Sequence, residues 1–194
     1  AYLGPSYTNE EIEGALRSNN VEYEFVEDIA GAAAELIHKK LVVGWFQGRM
    51  EWGPRALGNR SCLADPTDPG VKERLNNLMK RREWFMPFAP SILEEKTASY
   101  VENFCSSPFM ILAFDANLSK QDEMRAVIHV DNTTRPQTVD KDVNPLYHEL
   151  ISSYESLSGI PVVLNTSFNK HGLPMICDPY DAVYHLKEGC VDVL

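Results

Sequence analysis

The sequence predicts a mixed α/β fold, a twisted open sheet with helices packed on it. Three observations carry this expectation. Segments with helix-start signals alternate with short apolar runs towards both ends of the chain. Between them lie consecutive apolar runs of strand length, and that order is typical of a mixed sheet. The composition, 44% apolar and 24% charged over 194 residues, is globular and large enough for one domain with a real core.

Thr8 followed by Glu11 forms a capping-box pattern and opens a helix to about Arg17. Val21–Val26 alternates glutamate with apolar residues and reads as a strand. Asp28 caps an alanine-rich helix that runs to His38, and Leu41–Phe46 is a buried strand. Gly48, Gly53, Pro54 and Gly58 then punctuate a loop. Ser61–Ala64 is a short strand. Asp68-Pro69 starts a helix to about Met79. Phe88–Leu93, Phe109–Phe114 and Ala126–Val130 read as strands. A helix follows from Asn144 to Ser158, ended by Gly159. Pro161–Leu164 is a strand leading into Asn165-Thr166-Ser167. Asp178-Pro179 opens the last helix, to Lys187, and Val191–Leu194 begins a final strand.

The net charge of −10 argues against a long nucleic acid or an anionic membrane as the general partner. No run of apolar residues is long enough to span a bilayer, and the first residues lack the pattern of a signal peptide. Cys62, Cys105, Cys177 and Cys190 show no metal-binding spacing, so they read as reduced thiols of a cytoplasmic protein and no metal site is expected. The charge is uneven. Residues 39–82 hold ten basic and four acidic residues, net +6, against −16 for the rest of the chain. A basic window in an acidic frame is where a small anion would be held.

Four segments carry the chemistry. In Gly48–Ser61, Arg49, Arg55 and Arg60 sit in a glycine-rich loop after a strand. Guanidinium groups clamp phosphate oxygens and glycines let backbone amides approach them, although an arginine-laced surface loop has the same composition. Lys80-Arg81-Arg82 follows a helix, and on an extended segment Lys80 and Arg82 share a face; an exposed basic helix end is the alternative. His129-Val130-Asp131 is delivered by a strand ahead of Arg135, placing His129 as a proton carrier, a clamp or a structural histidine. Finally, Val162-Val163-Leu164 ends in Asn165-Thr166-Ser167-Phe168-Asn169. Polar groups beyond a strand's carboxyl end suit a ribose, a phosphate or a carbamoyl group, and they also suit a turn that caps the strand.

Together, GRMEWGPRALGNRS, KRREWFMPFAPSIL, HVDNTTRPQTV and PVVLNTSFNKHGLPMICDPYDA resemble, in order, the C-terminal domain of the O-carbamoyltransferases of the nodulation and antibiotic-tailoring type. The resemblance covers most of residues 41–194 and implies a YrdC-like α/β fold, whose Lys-x-Arg and Ser-x-Asn hallmarks stand here as Lys80-x-Arg82 and Ser167-x-Asn169. Residues 1–194 then form a single carbamoyltransferase C-terminal domain, with residues 1–40 as lead-in helices and strand and 41–194 as the motif-bearing core.

The resemblance also implies a two-step reaction. ATP, with Mg²⁺, and carbamoyl phosphate give carbamoyl adenylate and pyrophosphate in this domain. An N-terminal domain, which carries a metal ion in the family and is absent from this chain, passes the carbamoyl group to a hydroxyl acceptor. Lys80, Arg82 and His129 are the expected catalytic residues. Arg49, Arg55, Arg60, Arg135, Asn165, Ser167 and Asn169 are the expected substrate and nucleotide ligands. Met86 stands where many members carry arginine, one positive charge fewer. The alternative reading is a non-catalytic nucleotide- or RNA-binding module of YrdC-like type.

Overall fold

A computed structural model describes every residue of the chain except Arg82 and Trp84. Its centre is a five-stranded sheet built from β1 (Val43–Phe46), β2 (Arg60–Ala64), β3 (Ala89–Leu93), β6 (Gln137–Val139) and β7 (Val162–Ser167). The order across the sheet is β1-β2-β7-β3-β6. All neighbours are antiparallel except β3 and β6, which run parallel. Thus β7, late in the chain, is the central strand, with Asn165 registered against Leu63 of β2 on one side and Ala89 of β3 on the other. A separate two-stranded ribbon pairs β4 (Phe114–Asp115) with β5 (Thr133–Thr134).

Alternation along the strands divides the core into two layers. On one face, α2 (Ile29–His38) and α5 (Pro145–Ser158) pack over Val43, Leu63, Leu93, Val139 and Val163. On the other face, Cys62, Ala64, Ile92, Val162 and Leu164 meet α3 (Gly70–Leu75), the segment after it, and α6 (Pro179–Lys187). Each fully buried aliphatic or aromatic side chain of this kind stabilises the fold by about 1.5–3 kcal/mol.

The helices form where local chemistry satisfies their ends. Thr8 and Glu11 make the reciprocal bonds of a capping box ahead of α1 (Asn9–Ser18). Asn144 caps α5, Pro145 fills its first turn, and Gly159 ends it at φ +78°. The helix expected to run to Met79 instead changes character: α3 is followed by a turn of π-helix, Asn76–Lys80, closed by the Arg81 amide on the Asn76 carbonyl. Arg81 then adopts a left-handed φ of +46°, which turns the chain sharply after Lys80. The short helix α4 (Glu94–Thr97) follows β3 directly.

Three expected strands are absent. Residues 21–26 form no strand, and Phe25 is 82% exposed. Alternation signals an extended segment, whereas a strand also needs a neighbour's free edge. Of the run 109–114 only Phe114 enters a strand, because Met110 turns at φ +56° and Ile111 projects outward, 69% exposed. Residues 126–130 are buried in part but form turns: the Val127 and Ile128 amides both bond back to Met124. Apolarity there reflects burial in the core, where Ala126 and Val127 join Met124 and Ala116. At the C-terminus, Val193 makes only an isolated bridge to Val43. Conversely, β7 runs through Asn165-Thr166-Ser167, so the polar residues expected beyond the strand are part of it.

Candidate functional site

The π-turn and the end of β7 bring Lys80 to Ser167 and Asn169. The Lys80 ammonium, on a residue 3% exposed, donates to Ser167 Oγ at 3.0 Å, Asn169 Oδ1 at 2.8 Å and the Asn169 carbonyl at 3.0 Å, and also to the Ser167 carbonyl. Ser167 Oγ donates to the same Asn169 Oδ1 at 2.6 Å. Asn169 is held in turn by Nδ2 bonds to the Leu173 and Lys170 carbonyls. The His171 amide donates to the Met79 carbonyl at 2.7 Å, tying the loop after β7 to the turn that carries Lys80. Single π-turns are frequent at functional positions, and this one ends the helix just after Lys80. Arg82 lies outside the described residues. Arg81, beside it, is exposed.

The glycine-rich loop Gly48–Ser61 is organised by its single acidic residue. Glu51 is buried, and its Oε1 accepts from the amides of Leu57, Asn59 and Arg60 at 2.7, 2.8 and 3.1 Å. One carboxylate thereby gathers the loop around itself. Gly58 is required at the crown: its φ is +98°, and a Cβ there would lie 2.2 Å from the Tyr147 ring.

The three loop arginines take three different environments. Arg60 is fully buried. Its guanidinium donates to the carbonyls of Gln47, Gly48, Asn59, Pro5 and Cys177 and stacks 3.6 Å above the Phe46 ring. Burial pulls its pKa down, while the nearby Glu51 carboxylate opposes that shift. Arg49 binds the carbonyls of Leu3 and Gly4 and anchors the N-terminal segment. Only Arg55 is exposed towards a cleft that it shares with Ala56, Phe88, Arg135, Asn165, Thr166 and Ser167. Arg135 donates to the Met110 carbonyl, so the left-handed turn at Met110 holds this second guanidinium against the cleft wall.

Asn165 forms the floor of this corner. Its Nδ2 donates to Ser91 Oγ at 2.9 Å, Gln137 Oε1 at 3.2 Å and the Ala56 carbonyl at 3.2 Å, and its buried Oδ1 has no partner. Gln137 also reaches the Leu57 carbonyl at 2.9 Å. Ser91, Gln137 and Asn165 come from β3, β6 and β7, and they link the sheet to the arginine loop. A polar residue inside an apolar strand, as Ser91 is within Phe88–Leu93, was the signal in the sequence for this network. A second set, Gln47, Asn59 and Asn144, ties the same loop to the start of α5.

His129 stands in a turn, not on a strand. Its Nδ1 meets Thr133 Oγ1 at 3.0 Å and its buried Nε2 has no partner. Burial lowers its pKa, and the cations Arg135 and Lys72 add to that effect while Asp131 opposes it. A neutral imidazole is therefore favoured. The structure thus joins Lys80, Ser167 and Asn169 in one cluster and Arg55, Arg135 and Asn165 in the adjoining cleft. It sets Arg49 and Arg60 to binding backbone. Of the thiols, Cys62 is pushed up to about 12 by burial, and all four cysteines are free.

Among the described residues, no three His, Cys, Asp or Glu side chains gather as a metal site, and no helix is long and apolar enough to cross a membrane.

The chain was also compared with known proteins. Residues 34–194 match the family model described as carbamoyltransferase C-terminus. The chain is 38% identical over 198 residues to the uncharacterized protein MJ1058 of Methanocaldococcus jannaschii, covering 100% of this chain and 32% of that protein. It is 45% identical over 167 residues to the nodulation protein NolNO of Sinorhizobium fredii, covering 84% of this chain and 25% of that one. The chain therefore spans about a third or less of the length of these relatives. Among solved structures, full-length HypF in its phosphate- and nucleotide-bound form aligns with a TM-score of 0.62 at 16% identity, over 89% of this chain and 21% of that one. This likeness concerns the fold alone, the mixed α/β sheet of YrdC-like class that the motifs led us to expect. With the family model spanning both the arginine loop and the Lys80 cluster, the chain belongs to the carbamoyltransferase C-terminus family.

Proposed function

We propose that this domain binds ATP and carbamoyl phosphate and forms carbamoyl adenylate, for transfer of the carbamoyl group to a hydroxyl acceptor by a further, N-terminal domain of the working enzyme. Family membership supports a role in carbamoyl transfer. The observation that carries the finer reading is the meeting of the Lys80–Ser167–Asn169 cluster with a cleft flanked by two guanidinium groups, Arg55 and Arg135.

The chemistry asks for such a place. Water takes the phosphoryl group of carbamoyl phosphate, breaking its P–O bond and leaving carbamate and inorganic phosphate; a carbamate oxygen then bonds to the α-phosphorus of ATP as the bond to pyrophosphate breaks. Negative charge grows on the α-phosphoryl and pyrophosphate oxygens, and preorganised cations there lower the barrier. Arg55, exposed and making no hydrogen bond or ion pair among the described residues, is free to take a phosphate oxygen. Lys80 is held within reach of the same end of β7, with Arg82 as its expected companion. The Asn165 Oδ1, lacking a partner, is an acceptor suited to a carbamoyl amino group. His129, kept neutral by burial, is suited to contact carbamoyl phosphate as a hydrogen-bonding group rather than a cation. Mg²⁺ would arrive on the nucleotide phosphates and screen their charge.

The test is pyrophosphate–ATP isotope exchange in the full-length protein with carbamoyl phosphate present. Exchange that disappears in Lys80→Ala supports the reading. ATP binding without any exchange would replace it with a nucleotide-binding module.

A further inference from the structure

One buried side chain outside the motifs is placed to control Lys80. His185 lies on α6, is 3% exposed, and packs edge-on against Phe168 and Tyr184. Both of its ring nitrogens are engaged. Nδ1 lies 2.7 Å from the Asp181 carbonyl, which only accepts, so Nδ1 carries the proton. Nε2 receives the Lys170 backbone amide at 3.1 Å, and an amide only donates, so Nε2 carries the lone pair. The hydrogen bonds therefore define a neutral imidazole in one tautomer.

The amide that His185 holds belongs to the peptide group joining Asn169 to Lys170. The carbonyl of that same peptide group is the Asn169 oxygen that accepts from the Lys80 ammonium at 3.0 Å. A trans peptide is planar and its C=O and N–H point in opposite directions. One rigid plate thus spans from the imidazole of His185 to the ammonium of Lys80. Turning its N–H away from Nε2 would turn its C=O away from Lys80.

We propose that His185 is a positioning residue for Lys80, acting through the Asn169–Lys170 peptide, and that its neutral tautomer is needed to keep Lys80 in place. The proposal rests on the reading of Lys80 as a phosphate ligand only for its consequence in binding; the linkage itself is independent of any ligand. Protonation of Nε2 would set a donor against the Lys170 amide. The plate would rotate, and Lys80 would lose an acceptor. The charged and titratable groups around the imidazole are Lys170 and Glu188, paired at 2.8 Å, together with Asp181, Tyr184 and Cys190. Glu188 interacts electrostatically with the His185 ring as well as with Lys170, so its carboxylate is part of the setting in which the imidazole is held.

The experiment has two arms. In the ligand-free chain, heteronuclear NMR follows the imidazole nitrogens of His185 and the Lys80 Nζ resonance during acidification. The expected result is a protonated Nδ1 and bare Nε2 at neutral pH, with Lys80 shifting along the same curve as His185. In His185→Gln, whose side-chain carbonyl can still accept the amide, the Lys80 resonance should lose this pH dependence. In the second arm, ATP titration at neutral pH should show affinity weakened roughly 3- to 10-fold in His185→Leu and largely restored in His185→Gln, the scale of one hydrogen bond. A Lys80 resonance indifferent to His185, or equal ATP affinity in His185→Leu and the parent, overturns the proposal. Should His185→Leu fail to fold, the acid titrations of the parent and His185→Gln still decide it. A parent chain that binds no ATP would overturn the phosphate reading of Lys80, while the NMR curves alone would judge the linkage.

Discussion

Lys80 Nζ and Asn169 Oδ1 lie 2.8 Å apart across 89 residues of chain. That contact depends on the π-turn that delivers the lysine and on the central position of β7, which delivers the asparagine. Replacing Lys80 by alanine should weaken ATP binding roughly 10- to 100-fold, the worth of a charge-assisted hydrogen bond. Calorimetric titration of the parent and variant measures this, and an unchanged isotherm would remove Lys80 from the site.

Arg55 and Arg60 should separate cleanly, although both belong to the same loop. Arg55→Ala takes away an exposed guanidinium on the cleft, so it should weaken pyrophosphate binding and its salt dependence while leaving the melting temperature nearly unchanged. Arg60→Met removes a buried guanidinium that satisfies five backbone carbonyls. It should destabilise the fold by several kcal/mol, about 3 or more, because a fully buried side chain loses all its hydrogen bonds at once and the buried Asn59 carbonyl loses a donor. Thermal melts and anion titrations of the two variants form the comparison.

Glu51→Ala should be among the most damaging changes in the loop. Its Oε1 serves three amides, and the substitution leaves them without a partner. A loss of roughly 3 kcal/mol or more is expected, from about 1–3 kcal/mol for each buried donor with partial relaxation. Chemical denaturation reads it directly. A loss below about 1 kcal/mol would show that the loop re-forms without its carboxylate.

Gly58→Ala combines a left-handed φ with a Cβ that would press into the Tyr147 ring, so two independent penalties coincide. The variant should fail to accumulate as folded protein. Gly172→Ala is the control. It shares a positive φ of +83° but meets nothing within 4 Å, and should cost about 1 kcal/mol.

Acid should weaken the fold through Asp65. Burial raises its pKa, but the Lys40 ammonium at 2.6 Å and the Thr67 hydroxyl and amide outweigh that and hold it below the ordinary value. A carboxyl depressed in the folded state stabilises the protein above its unfolded pKa, roughly 4, and the contribution is lost as pH falls through the folded value. Asp65→Asn should flatten the acid limb of the stability–pH curve, as measured by urea unfolding across that range.

The sequence by itself determined the elements whose causes are local. Thr8–Glu11, Asp28, Asn144 with Gly159, and Asp178-Pro179 set the long helices to within a residue or two, since caps act over a single turn. It also determined the family, because long motifs in order carry that information, and it singled out Lys80, Ser167 and Asn169, whose contact the structure supplies. Only the tertiary structure decided which arginine faces the cleft. Arg49, Arg55 and Arg60 share charge and spacing, and the difference arises from a buried Glu51 and an aromatic ring at Phe46 that fold the loop around one of them. The same holds for the missing strands at 21–26 and 109–113, where alternating or apolar residues found no edge to pair with. It holds above all for His185, whose role comes from one peptide plane shared with Lys80 and from no spacing in the sequence.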